Sequence, residues 1–177
     1  MFLECCFIET KLRLEICTMK AAVVMVYLVA VASAHICLLN PHQRGSMKGI
    51  NVKDAGDCGL LNKPCGNRTQ DKPGIQIKGG SPYTVIFQKN LNHFETFPNG
   101  TATNGYFEIS FLTSTDVQIL SKVNDGATPS LTLYYPNVTM PRGPIGVPAI
   151  LQLTYVTNNA EVPMGGIFYQ CADIELF

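Results

Sequence analysis

Beyond residue 80 the apolar side chains recur at every second position, in runs too short to be anything but strands. Tyr83, Val85 and Phe87 alternate, then Phe107, Ile109 and Phe111. Val117 and Ile119, Leu131 and Leu133, and Leu151, Leu153 and Tyr155 follow the same rule. In the last run, 167–176, Phe168, Ala172, Ile174 and Leu176 fall on one side and Tyr169, Cys171, Asp173 and Glu175 on the other. A period of two places successive side chains on opposite faces of a sheet. Asn104-Gly105, Asn124-Asp125-Gly126 and the proline-rich 141–148 punctuate the runs. No stretch of about 12 residues after position 34 carries a helical period. The expectation is an all-β fold, an antiparallel β-sandwich of about seven or eight strands.

The chain has 177 residues, a length that fits one domain. Its 15 Gly and 11 Pro suit a turn-rich β protein. Thirteen Lys and Arg balance thirteen Asp and Glu. That neutrality removes a broad electrostatic claim on nucleic acid or on an anionic membrane, since both need an excess of basic residues. Tryptophan is absent, which excludes a sugar-binding face built on Trp stacking.

Residues 20–34, KAAVVMVYLVAVASA, are one Lys followed by an apolar run that ends in small residues. Ala32-Ser33-Ala34 is an A-x-A-like cleavage site, so this reads as a secretory signal. The run is shorter than the roughly 20 apolar residues of a membrane span. Met19 starts a signal of ordinary length, which makes residues 1–18 an upstream extension or, alternatively, a long n-region. The expected organisation is a signal with extension over 1–34 and one domain over 35–177. No apolar tail follows a polar spacer after residue 176, so a lipid anchor is not expected. The expected location is secreted and extracellular, with no membrane attachment after cleavage.

Of seven cysteines, Cys37, Cys58, Cys65 and Cys171 lie beyond the cleavage site. An even number in a secreted chain implies two disulfides, with three possible pairings. Sequons at Asn67, Asn99 and Asn137 agree with an oxidising secretory route and mark expected glycosylation sites. Residues 41–74, rich in Gly, Pro, Asn, Lys and Asp, read as a long loop held by cysteines.

Cleavage after Ala34 would make His35 the first residue. A terminal His offers its α-amine and ring Nδ1 from one residue, and together they close a chelate on a metal. A second imidazole completes three nitrogens in a T, which suits the tetragonal preference of Cu(II). Two other histidines are available, His42 in Asn40-Pro41-His42-Gln43-Arg44-Gly45 and His93 in Asn92-His93-Phe94. Residue chemistry alone does not choose between them. An extended strand would carry His42 some 20 Å from His35, at about 3.3 Å per residue. His93 follows a strand and can return to the same end of a sandwich, which favours it.

The start His35-Ile36-Cys37-Leu38-Leu39-Asn40-Pro41-His42-Gln43-Arg44-Gly45, the segment Pro64-Cys65-Gly66 and the ending Tyr169-Gln170-Cys171-Ala172-Asp173-Ile174 carry a resemblance. They resemble the copper acquisition factor family, secreted relatives of lytic polysaccharide monooxygenases. The resemblance implies an immunoglobulin-like or fibronectin-like sandwich with a surface site for one copper ion. It implies His35, His93 and Asp173 as the ligands. It also implies a Cys65–Cys171 bridge, which leaves Cys37 with Cys58. Chain position alone would equally allow Cys58–Cys65 with Cys37–Cys171.

A carboxylate beside copper disfavours reduction of Cu(II), whereas the oxidative enzymes of that superfamily commonly hold a Tyr or Phe there. Asp173 therefore points to copper binding for transfer, storage or sequestration, without catalysis. His42 stands as a competing ligand, and Arg44 is expected to have a structural role. Two other functions remain open. One is an oxidoreductase of the polysaccharide monooxygenase kind; Asp173 and the lack of an evident aromatic platform stand against it, though Tyr83, Tyr106, Tyr134, Tyr135, Tyr155 and Tyr169 prevent a strict exclusion. The other is an extracellular adhesion sandwich in which His35 is incidental. No hydrolase motif such as G-x-S-x-G or H-E-x-x-H is present.

Overall fold

A computed structural model describes residues 35–71, 74–143 and 145–177. The signal segment and its extension lie outside the described residues. Ten strands follow in chain order: β1 (His35–Asn40), β2 (Ile75–Ile77), β3 (Pro82–Thr84), β4 (Ile86–Leu91), β5 (Tyr106–Leu112), β6 (Val117–Asn124), β7 (Thr132–Tyr134), β8 (Asn137–Thr139), β9 (Pro148–Val156) and β10 (Ile167–Leu176). Among the described residues, two short 3-10 turns, Gly56–Cys58 and Pro163–Gly166, are the helical content.

One sheet has the order β1-β4-β7 and the other β2-β10-β9-β5-β6, with β3-β8 as a separate pair. Pairing is antiparallel throughout except for β2 on β10. The strand count exceeds the seven or eight expected because β2 and β8 have three residues each and the run from Tyr83 to Phe87 is divided between β3 and β4. Strands as short as β2 and β8 carry no readable period.

The inward faces of the two sheets share one apolar core. Ile36 and Leu38 of β1 and Phe87 of β4 meet Phe107 and Ile109 of β5, Leu151, Leu153 and Tyr155 of β9, and Phe168, Ala172 and Ile174 of β10. Aligned packing of two sheets through alternating side chains is the sandwich solution to burying one face of each. Tyr134 of β7 closes one side, stacked on Phe87 at 4.9 Å between ring centroids.

Two apolar runs do not face the core as their alternation suggests. In β6, Val117 and Ile119 are 62% and 54% exposed. Ile109 pairs with Ser121 but Ser110 pairs with Ile119, so Leu120 is an extra residue. A one-residue slip exchanges the faces of everything beyond it. Val123 and Leu120 pack on the core instead. In β7 the core residue is Tyr134, while Leu133 is exposed and Leu131 takes a positive φ of 70° before the strand.

The loop over 41–74 is tied down at several points. Cys37 is bonded to Cys58, and Cys65 to Cys171, 106 residues away. The second bridge is the one the resemblance implies. Arg44 N–H donates to the Cys171 carbonyl at 2.7 Å, and Tyr169 N–H to the Leu60 carbonyl at 2.8 Å. Both bonds fasten the loop to β10.

Candidate metal site

His35 opens β1 and is nearly buried. It pairs with Leu91 of β4, two residues before His93. Leu91 is the last residue of β4, so His93 lies in the segment that leaves the strand end beside His35. A slip fixes this meeting. His35 pairs with Leu91 but Ile36 pairs with Lys89, so Asn90 is an extra residue in β4. The Asn90 side chain is fully buried and serves the neighbouring loop. Its Oδ1 accepts from Ala55 N–H at 2.9 Å and its Nδ2 donates to the Val52 carbonyl at 3.1 Å.

Both imidazoles lie against one aromatic ring. His35 and His93 each stand 6.5 Å from Phe168 between ring centroids, with interplanar angles of 25° and 19°. Phe168 is wholly buried near the start of β10. His35 Nδ1 lies 3.1 Å from Asp54 Oδ1, on a side chain that is 61% exposed. On its other side the His35 ring lies over Gly59, where an added Cβ would overlap Nε2. The absence of a side chain at residue 59 is what admits the ring.

The His93 backbone is held from several sides. Its carbonyl accepts from Thr103 Oγ1 at 3.4 Å and from Asn159 Nδ2 at 3.3 Å. Its main chain also hydrogen-bonds the Tyr155 hydroxyl, which donates to Asp125 Oδ2 at 2.5 Å. Burial first, then the bond to Asp125, pushes the Tyr155 phenol well above its ordinary value.

Asp173 is not brought to this place. It stands five residues beyond Phe168 in β10, an odd step that turns it to the opposite face, about 16 Å along at roughly 3.3 Å per residue. Arg44 grips it there through two bonds, Nε to Oδ2 at 2.8 Å and Nη2 to Oδ1 at 2.7 Å. Asp71 N–H adds a third bond at 2.8 Å. The ligand role that the resemblance implies for Asp173 is corrected on this geometry. The structural role expected of Arg44 is the one its contacts describe. His42 is exposed, with Nδ1 2.6 Å from the Gln43 carbonyl oxygen, and takes no part in the grouping around Phe168.

Among the described residues no group of three or more His, Cys, Asp or Glu side chains is arranged to hold a metal. The side chains that converge on Phe168 are two imidazoles. They fit copper on one condition, that a further nitrogen comes from the main chain. The α-amine freed by cleavage before His35 would be that nitrogen, giving three nitrogen donors of the kind Cu(II) accepts.

Sequence reasoning missed Phe168 as a site residue because its alternation marks it as core, which it also is. Asp54 and Gly59 lie in the loop region, where no period points to any residue. The Tyr155–Asp125 bond beside the His93 main chain was invisible because Tyr155 lies in an apolar run and Asp125 in a turn 30 residues away.

No family model and no curated protein matches this sequence. Solved structures similar to it include a polysaccharide monooxygenase, CBM33, with a TM-score of 0.49 at 10% identity over 81% of this chain and 100% of that one. A lytic polysaccharide monooxygenase of group AA10 from Streptomyces lividans gives 0.42 at 17% identity, over 83% and 84% of the two chains. The catalytic domain of such an enzyme from Listeria monocytogenes gives 0.43 at 13% identity, over 81% and 99%. At these identities none of them assigns a role to a residue of this chain.

Proposed function

We propose that residues 35–177 form a secreted domain that binds one copper ion at its own N-terminus. The observation that carries this reading is the convergence of His35 and His93 on Phe168. After cleavage, the His35 amine and Nδ1 and the His93 imidazole would hold the metal. The α-amine titrates near pH ~8, and a metal displaces its proton at neutral pH. Copper transfer, storage or sequestration would then be its work, and glycans at Asn67, Asn99 and Asn137 would accompany secretion.

N-terminal sequencing with metal analysis of the secreted protein tests this. The expected result is a chain that begins at His35 with one copper ion bound. A form with one extra residue before His35 has a peptide nitrogen where the amine should be, and it should bind orders of magnitude more weakly. Equal affinity of the two forms would refute the reading.

A second reading is favoured by Phe168. The residue against both imidazoles is an apolar ring, and the carboxylate that argued against oxidative chemistry is engaged by Arg44 elsewhere. Bound copper would supply redox chemistry toward an oxygen co-substrate, as in an oxidoreductase of the polysaccharide monooxygenase kind. Turnover with reductant, peroxide and chitin or cellulose separates this reading from copper binding alone.

A further inference from the structure

Close to His93 in the chain lies a buried ion pair. Lys89 of β4 is completely buried, and its Nζ lies 2.7 Å from Asp125 Oδ1, itself nearly buried. Lysine is almost never fully buried unless paired, because an ammonium taken out of water loses its hydration. Here the ammonium meets as many acceptors as it has protons. They are Asp125 Oδ1, Asn92 Oδ1 at 2.9 Å and the Gly126 carbonyl at 2.9 Å.

The network closes on His93. Asp125 Oδ2 receives the only proton of the Tyr155 hydroxyl, so the His93 main chain can meet that hydroxyl only by donating its N–H. Asn92 Oδ1, held by Lys89, also accepts the Phe94 N–H at 3.0 Å. Asn92 N–H donates to Ser130 Oγ at 3.0 Å. Residues 92, 93 and 94 are thus fastened one by one. The Tyr155 ring in turn lies 6.3 Å from Phe168, the ring that backs both imidazoles.

Replacing a buried ion pair by apolar residues of similar volume is often neutral or stabilising, so net stability alone is a weak reason for this one. What the ionic arrangement supplies is direction. We propose that Lys89, Asp125 and Tyr155 are positioning residues that set the aim of the His93 imidazole for metal binding, an inference that rests on the copper reading. Outer groups of this kind tune metal sites by holding a ligand in its bound orientation before the metal arrives.

Tyr155→Phe keeps the ring and removes the hydroxyl. Asp125→Asn keeps the shape and removes the charge. In the metal-free, correctly processed protein the His93 ring should give one narrow set of 1H–13C signals. In either variant those signals should broaden or double, while the His42 ring, as internal reference, should not change. Cu(II) affinity should fall on the order of 10–100-fold. Unchanged His93 ring signals together with affinity within about twofold of the parent would overturn the proposal, even if Tm falls, because the group would then serve the core alone. Should both variants fail to fold, amide exchange in the parent decides. The His93 amide should be as protected as the core amides of β9, and rapid exchange there would refute the clamp. If the parent takes up no copper, the copper reading fails, while the ring signals and amide exchange still judge the positioning of His93.

Discussion

Phe168 and Asp173 belong to one strand, yet they face opposite ways and do separate work. Phe168 backs both imidazoles, whereas Asp173 is locked to Arg44 in a two-bond ion pair. The carboxylate and the face that carries the two imidazoles are therefore separable by mutation.

Asp173→Ala should destabilise the fold by about 3–5 kcal/mol, because it leaves the Arg44 guanidinium buried without its counter-charge. The Cu(II) EPR spectrum of the folded fraction should match the parent. Denaturant titration and EPR on one preparation check both halves. A changed spectrum would return Asp173 to the metal.

Asp54→Asn should do the reverse. Its side chain is exposed, so stability should barely move. Its carboxylate nevertheless lies beside His35 Nδ1, and removing a negative charge there should raise the copper reduction potential. Voltammetry of the loaded protein is the measurement.

Gly59→Ala is the sharpest steric test. The glycine has an ordinary φ of −95°, so the backbone tolerates alanine. The new methyl would collide with the His35 ring and push it from its place. Copper affinity should drop roughly 10–100-fold with little change in Tm. A competition titration with a copper chelator of known affinity reads this out.

The Asp57 carboxyl should limit acid stability. The Ser46 hydroxyl, then Arg68 and the Lys48 N–H, hold it below its ordinary value against the opposing effect of burial. The depressed value in the folded state means that the unfolded chain binds the proton more readily. The stabilisation is complete above the unfolded value of about 3.9 and is lost as pH falls through the lower folded value. Urea midpoints between about pH 2 and 6 should fall on the acid side, and Asp57→Asn should flatten that slope.

The sandwich was legible where strands are long and one face is dry. Phe107, Ile109 and Phe111, and Leu151, Leu153 and Tyr155, are buried as their alternation requires. Val117 and Ile119 misled because the extra residue Leu120 reverses the faces, and a bulge leaves no mark on polarity. His35 and His93 could be singled out because chelation needs residue types that are rare in this chain. The carboxylate was harder. Any outward Asp on the last strand fits a ligand pattern, and only the position of Arg44, 129 residues away in the chain, reveals what Asp173 holds. Lys89 shows the same limit, since a lone lysine between Gln88 and Asn90 reads as a solvated charge until Asp125 is seen beside it.

The bridge from Cys37 to Cys58 has a bearing on when the face around His35 comes into being. Asp54 and Gly59, which flank His35, lie four residues before and one residue after Cys58, and Cys37 is two residues from His35 itself. Before the two sulfurs join, the loop carrying those neighbours lacks its covalent tie to β1. Assembly of the face thus depends on oxidation of the chain, and a reduced chain would offer copper a loosely held histidine in place of a finished seat.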